Sequence, residues 1–125
     1  MGLVSPIEYS TIIKRIIDQY AAFKPSYGDI QVETIYDEQG GHFELMYCGW
    51  DGSKRIHGSV IHLDIRNGTI WIQHDGTEVG IADELISAGI PHERIVLAFH
   101  PPDQRKRTPF ATGEECDSPM RAKHD

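Results

Sequence analysis

Glycine-containing turns cut the middle of this chain into four alternating runs, and no other feature restricts its fold as strongly. Asp37–Gly41, Asp51-Gly52 and Asn67-Gly68 lie between Ile30–Tyr36, Phe43–Trp50, Lys54–Arg66 and Thr69–His74. Each run alternates side chains as a half-buried strand does. Ile30, Val32 and Tyr36 share one face. Phe43, Leu45 and Tyr47 oppose Met46, Cys48 and Trp50; Ile61, Leu63 and Ile65 oppose Val60, His62 and Asp64; Ile70 and Ile72 oppose Trp71 and Gln73. Asp-Gly and Asn-Gly between such runs predict hairpins closed by type I′ turns, which need positive φ at both central residues. The expected centre of the fold is a four-stranded antiparallel meander.

Helical signals flank it. Ser5-Pro6-Ile7-Glu8 reads as a helix start, with Ser5 as N-cap, proline at the first helical position and Glu8 closing a capping box. Tyr9, Ile12, Ile13, Ile16, Ile17, Tyr20 and Ala21 then form one apolar stripe that ends before Pro25. Its isoleucines are β-branched and indifferent helix formers, so packing must hold this helix. Downstream, Thr77 is expected to cap a second helix carrying Ile81, Ala82, Leu85 and Ile86, with Gly89, Ile90 and Pro91 ending it. Ile95–Phe99 reads as one more strand or extended segment, and Pro101, Pro102 and Pro109 discourage regular structure after it. The fold class is therefore α+β: an N-terminal amphipathic helix, the meander, a second helix and a short C-terminal strand. Residues 1–113 are expected to form a single domain, and Glu114–Asp125, poor in apolar residues, a disordered tail.

At 125 residues the chain suits one core, and no apolar run approaches a membrane span. MGLVSPIEYS carries neither the basic nor the apolar region of a secretory signal, and Cys48 and Cys116 are too few for a disulfide or zinc framework. A cytoplasmic location is expected. Nineteen acidic against twelve basic residues give a formal charge of −7, which repels phosphate backbones and makes autonomous nucleic-acid binding an unfavoured reading. Arg105, Lys106 and Arg107 are the local exception, read first as a solvated loop.

The densest polar cluster falls where a strand gives way to a helix, at Gln73, His74, Asp75, Thr77 and Glu78. Such junctions present unpaired backbone N–H groups and often become sites. A metal site could draw on His62 and Asp64, or on His74, Asp75, Glu78 and His100, yet no HxH, HExxH or CxxC spacing supports it. A general-base pair of His74 with Asp75 or Glu78 lacks any accompanying nucleophile elbow or phosphate loop. The plain structural reading of Asp75-Gly76-Thr77-Glu78 is a tight turn leading into a cap. No metal, cofactor or catalytic residue is assigned. Trp50 and Trp71 stand on strands with apolar residues on both faces, so a second subunit is expected to cover the open side.

The strings KPSYGDIQVETIYD and YCGWDGSKRIHGSVIHLDIRNGTIWIQHDGTEVGIADELISAGIPHERIVLAFHPP closely resemble the XisI-like family, the fdxN-element excision controlling factors of cyanobacteria. The most specific matches are Gly49-Trp50-Asp51-Gly52, His62-Leu63-Asp64-Ile65, Ile70-Trp71-Ile72-Gln73, Thr77-Glu78 and Gly89-Ile90-Pro91, within a resemblance running from Tyr9 to Gly113. The resemblance implies an accessory role beside a serine-type recombinase and an XisH-like protein, in excision of a DNA element that interrupts a nitrogen-fixation gene. It brings no catalytic residues with it. The combined expectation is a non-enzymatic homodimer that meets an XisH-like partner through Trp71, His74, Asp75, Thr77 and Glu78, with Arg105 and Arg107 as a second surface. The rival is a metal-binding or hydrolytic enzyme built on the His74–Glu78 corner and His100. Direct DNA binding through Arg105–Arg107 is a third reading.

Overall fold

Strand pairing follows chain order without exception. The computed structural model describes residues 6–113, in which β1 (Asp29–Asp37), β2 (His42–Asp51), β3 (Lys54–Arg66), β4 (Thr69–Asp75) and β5 (Ile95–Leu97) form one sheet in the order β1-β2-β3-β4-β5. The first four are antiparallel neighbours, as the turn chemistry requires. The short C-terminal run joins as a fifth strand, parallel to β4 through Ile70↔Ile95, Trp71↔Val96 and Ile72↔Leu97. A parallel neighbour needs a crossover, and the second helix supplies it.

The turns divide in type. Asn67 (φ 52°) and Gly68 (φ 74°) both take positive φ, as a type I′ turn demands. Asp51↔Lys54 is the last pair of the β2–β3 hairpin, so its loop is Gly52-Ser53 and not Asp51-Gly52. Of these two only Gly52 has positive φ, at 64°, the sign pattern of a II′ turn. The expected I′ geometry there is thus corrected: the glycine occupies the first central position.

One side of the sheet carries the main core. Helix α1 (Tyr9–Ala21) follows a 3₁₀ turn at Pro6–Glu8, while Ser5, the expected cap, lies outside the described residues. Its buried stripe of Tyr9, Ile12, Ile13, Ile16 and Ile17 packs with Phe43, Leu45, Ile61, Leu63, Ile70 and Ile72 from the strands. Burying each such isoleucine contributes about 1.5–3 kcal/mol, which offsets their modest helix propensity. The Tyr36 hydroxyl donates to Asp18 at 2.7 Å, and Lys14 pairs with Glu38, so α1 is also tied down at its polar edges.

Helix α2 (Ile81–Ser87) adds Ile81 and Leu85 to the same core. It ends as the sequence predicts: Gly89 has φ 104°, its N–H donates to the Ile86 carbonyl at 2.9 Å, and the Ile90 N–H reaches Leu85 O at 3.1 Å. Those two bonds are the Schellman pattern, and Leu85 and Ile90 are both fully buried beneath it. Its start differs from expectation. Gly80, not Thr77, is the N-cap residue, and the first helical N–H, that of Ile81, donates to the Asp75 carboxylate at 2.8 Å. The cap comes from the end of β4, six residues earlier in the chain.

The opposite side of the sheet is covered unevenly. Beyond β5 the chain forms α3 (Pro102–Arg105) and returns so that Ala111 bridges Val96. Trp71, Val96 and Ala111 make a second small core there, with Ala98 packed against it. Among the described residues nothing covers the same side over β1 and β2, where Ile35 is 48% and Trp50 50% exposed. Among the described residues no helix is long and apolar enough to cross a membrane. The expected tail at Glu114–Asp125, with Cys116, lies outside the described residues.

Candidate functional site

A buried carboxylate organises the middle of this second side. Asp64 on β3 is 3% exposed, and an unpaired charge at such a position would be costly. It is instead surrounded by donors. Asp64 Oδ1 lies 2.8 Å from His42 Nδ1 and 3.0 Å from His62 Nε2, while Gln73 Nε2 donates to Oδ2 at 3.1 Å and Arg66 Nη2 stands 3.5 Å from it. Sheet register creates the arrangement. His42 opens β2 directly opposite Asp64, and His62 lies two residues away on the same face of β3. A β-bulge where His62 and Leu63 face β4 leaves Gln73 as the extra residue, and its side chain turns to the carboxylate.

These contacts set the protonation states. Burial on its own would raise the Asp64 carboxyl; the hydrogen bonds from His42 and Gln73 and the charge of His62 outweigh it, holding the group below the ordinary carboxylate range. The same hydrogen bond to Asp64 raises His42 above the usual imidazole value. An anionic oxygen with two imidazole nitrogens facing it can hold protons or a cation. Among the described residues, His42, His62 and Asp64 are the one group of three metal-ligating side chains whose donor atoms gather within 4.8 Å.

The residues singled out from sequence fall into two sets. Trp71, Asp75 and Arg105 face inward. Trp71 is 6% exposed, with the Arg66 and Arg105 guanidinium groups 5.0 and 5.7 Å from its ring. Asp75 accepts from the Thr77 amide at 2.9 Å and the Thr77 hydroxyl at 2.6 Å in addition to Ile81 N–H, so its oxygens serve the turn. The Thr77 hydroxyl also accepts from Gly80 N–H at 3.1 Å. Arg105 donates to three backbone carbonyls, of His100 at 2.9 Å, Thr112 at 3.2 Å and Ala98 at 3.3 Å. It thereby closes the loop between β5 and Ala111. His74, Glu78 and Arg107 are exposed and available to a partner.

The expected corner of His74, Asp75, Glu78 and His100 is not gathered into a ligand set. Asp75 is committed to its turn, and the His100 ring packs against Phe99 with 4.5 Å between centroids. Arg105 being engaged, the basic run offers two outward cations, Lys106 and Arg107, not three. His42 is the residue that sequence reasoning missed. The hairpin register alone puts His42 opposite Leu63, and a β-bulge where Leu45 and Met46 face β3 shifts it by one residue to Asp64, which no local sequence signal announces.

Comparison with known proteins gives a consistent result. The model of a family described as XisI protein matches residues 5–112. Two crystal structures from Anabaena variabilis ATCC 29413 have the same fold. A XisI-like protein is 36% identical, with TM-score 0.79, over 85% of this chain and 97% of its own. The fdxN element excision controlling factor XisI is 38% identical, with TM-score 0.75, over 86% of this chain and 97% of its own. No curated protein matches the chain.

Proposed function

Because the chain belongs to the XisI family, we propose that it is an accessory factor controlling site-specific excision of a DNA element, acting through protein contacts and not by catalysis. The observation that carries this reading is the match to an excision controlling factor over 86% of this chain and 97% of the other. The surface agrees with it. At the strand–helix corner Asp75 and Thr77 serve the turn itself, while His74 and Glu78 stay exposed as a contact surface.

Two contacts follow. The first is with a second copy of this chain across the open side of β1 and β2. Trp50 and Ile35 lie half-exposed on that side, beside Glu33, Arg55 and His57. A two-fold pairing sets the acids of one copy against the bases of the other while burying both tryptophans. The second contact is with an XisH-like protein at exposed His74, Glu78 and Val79. The acidic balance of the chain favours a basic partner surface.

Co-purification with the XisH-like protein tests the partner. A stable complex weakened by Glu78→Ala, with the fold intact, is the expected result; no complex, or one indifferent to the corner, overturns the assignment. Sedimentation tests the pairing. The chain should run as a dimer at micromolar concentration and Trp50→Asp as a folded monomer, whereas a monomeric wild type rejects the shared face.

A further inference from the structure

We propose that His42, His62 and Asp64 form a binding site for a divalent transition-metal ion, with zinc the ion their donors fit best. The proposal is independent of the accessory role, since neither the dimer nor the partner contact uses these residues.

Two imidazole nitrogens and one carboxylate oxygen are a donor set suited to zinc and its neighbours in the first transition row. Spacing supports the match. In a tetrahedral zinc site with bonds near 2.05 Å, adjacent ligand atoms stand about 3.3 Å apart. Here His42 Nδ1 and His62 Nε2 are 2.8 and 3.0 Å from Asp64 Oδ1, and all the donor atoms lie within 4.8 Å of one another. The two histidine–carboxylate separations fall a few tenths of an ångström short of that spacing, which small side-chain rotations make up.

The surroundings are those of a supported ligand set. Gln73 and Arg66 approach Oδ2, which leaves Oδ1 directed at the two histidines. Such outer contacts fix ligand orientation in metal sites generally. Arg66 opposes a second cation by its charge, but it addresses the other carboxylate oxygen and need not move. The ligands stand on two adjacent strands, a more rigid mounting than a loop. Access is open: the His42 and His62 side chains are 55% and 33% exposed against 4% for Asp64. An ion seated there keeps an open coordination position toward solvent. The ion binds the two facing nitrogens unprotonated, each ring then carrying its proton on the opposite nitrogen.

The alternative occupant is the proton itself, with two imidazoles hydrogen-bonded to one acid. The full chain, stripped by a chelator and titrated with Zn²⁺ against a chromophoric competitor, separates the two. One Zn²⁺ per chain should bind at micromolar affinity or tighter, and His42→Ala and His62→Ala should each weaken it about tenfold or more. His92→Ala, exposed in the turn before β5 and outside both proposed contacts, should leave it unchanged. Both ligand histidines are solvent-accessible, so unchanged circular dichroism will show that the variants fold. Co²⁺ loading should give the visible absorption of a four-coordinate site, lost in His42→Ala. Absence of saturable binding, or binding that survives the double variant His42→Ala/His62→Ala, overturns the proposal.

Discussion

Replacing Asp75 by alanine withdraws the acceptor from three donors at once: the Thr77 amide, the Thr77 hydroxyl and the first N–H of α2. The last belongs to Ile81, which is 0% exposed, so water cannot readily replace the carboxylate there. A buried donor left unpaired costs about 1–3 kcal/mol. The Thr77 groups are only half-buried and recover partners from solvent, adding about 0.5 kcal/mol each. The expected loss is therefore about 2–4 kcal/mol, a large fraction of the stability of an ordinary domain. Equilibrium urea unfolding followed by circular dichroism reads it directly, as a midpoint lowered by about 1–2 M at unchanged slope. Asp75→Asn keeps one acceptor oxygen and should lose about half as much. Glu78→Ala, three residues on and exposed, should stay within about 0.5 kcal/mol of wild type. An Asp75→Ala protein as stable as Glu78→Ala would falsify the claim that this side chain holds the corner together, and would return it to the surface available for partners.

Other outcomes follow from the same geometry. Trp71→Ala should destabilise the domain by about 3–5 kcal/mol, because the ring is buried against Val96 and Ala111; a loss below about 1 kcal/mol in thermal or urea melts contradicts that packing. Arg105→Lys should fail to restore the stability lost in Arg105→Ala, since one ammonium cannot serve the three carbonyls spanned by the guanidinium; equal melting of the lysine variant and wild type rejects the clamp. Tyr20, which donates to Glu84 between α1 and α2, is pushed up to about 12, first by burial and then by that hydrogen bond. A raised phenol gives stability that is complete below pH 10 and drains away as pH climbs toward about 12. Burial raises Tyr36 and Tyr9 as well, so ultraviolet titration should show several late tyrosinates, with one fewer in Tyr20→Phe.

The hairpins were legible because their causes are local. Asn67-Gly68 can close a tight turn whatever surrounds it, and Gly89-Ile90 ends a helix by bonds to its own last turn. The stripe of α1 was legible from its period alone. What escaped was decided by residues far apart in sequence. Ile95–Leu97 looks equally apolar as a strand or as extended chain, and only the position of α2 makes it a parallel neighbour of β4. The Asp75 cap defeats a reading that seeks the cap immediately before the helix, where Thr77 stands as a plausible choice. Arg105 looks like one of three surface cations until the returning loop brings carbonyls to it. The candidate site was half visible: His62 and Asp64 share a face by alternation, but His42 joins them only because a β-bulge shifts the β2–β3 register by one residue.

Sheet order equal to chain order has a consequence for synthesis. During translation each strand from β2 onward emerges next to a partner already made, so the sheet can grow by adding one strand at a time. Helix α1 has no such provision. Its isoleucine stripe leaves the ribosome before the strands that supply Phe43, Leu45, Ile61 and Leu63, and must wait for them. The nascent chain therefore carries an uncovered apolar segment ahead of a growing sheet, and that segment is where a holding chaperone would find its first grip.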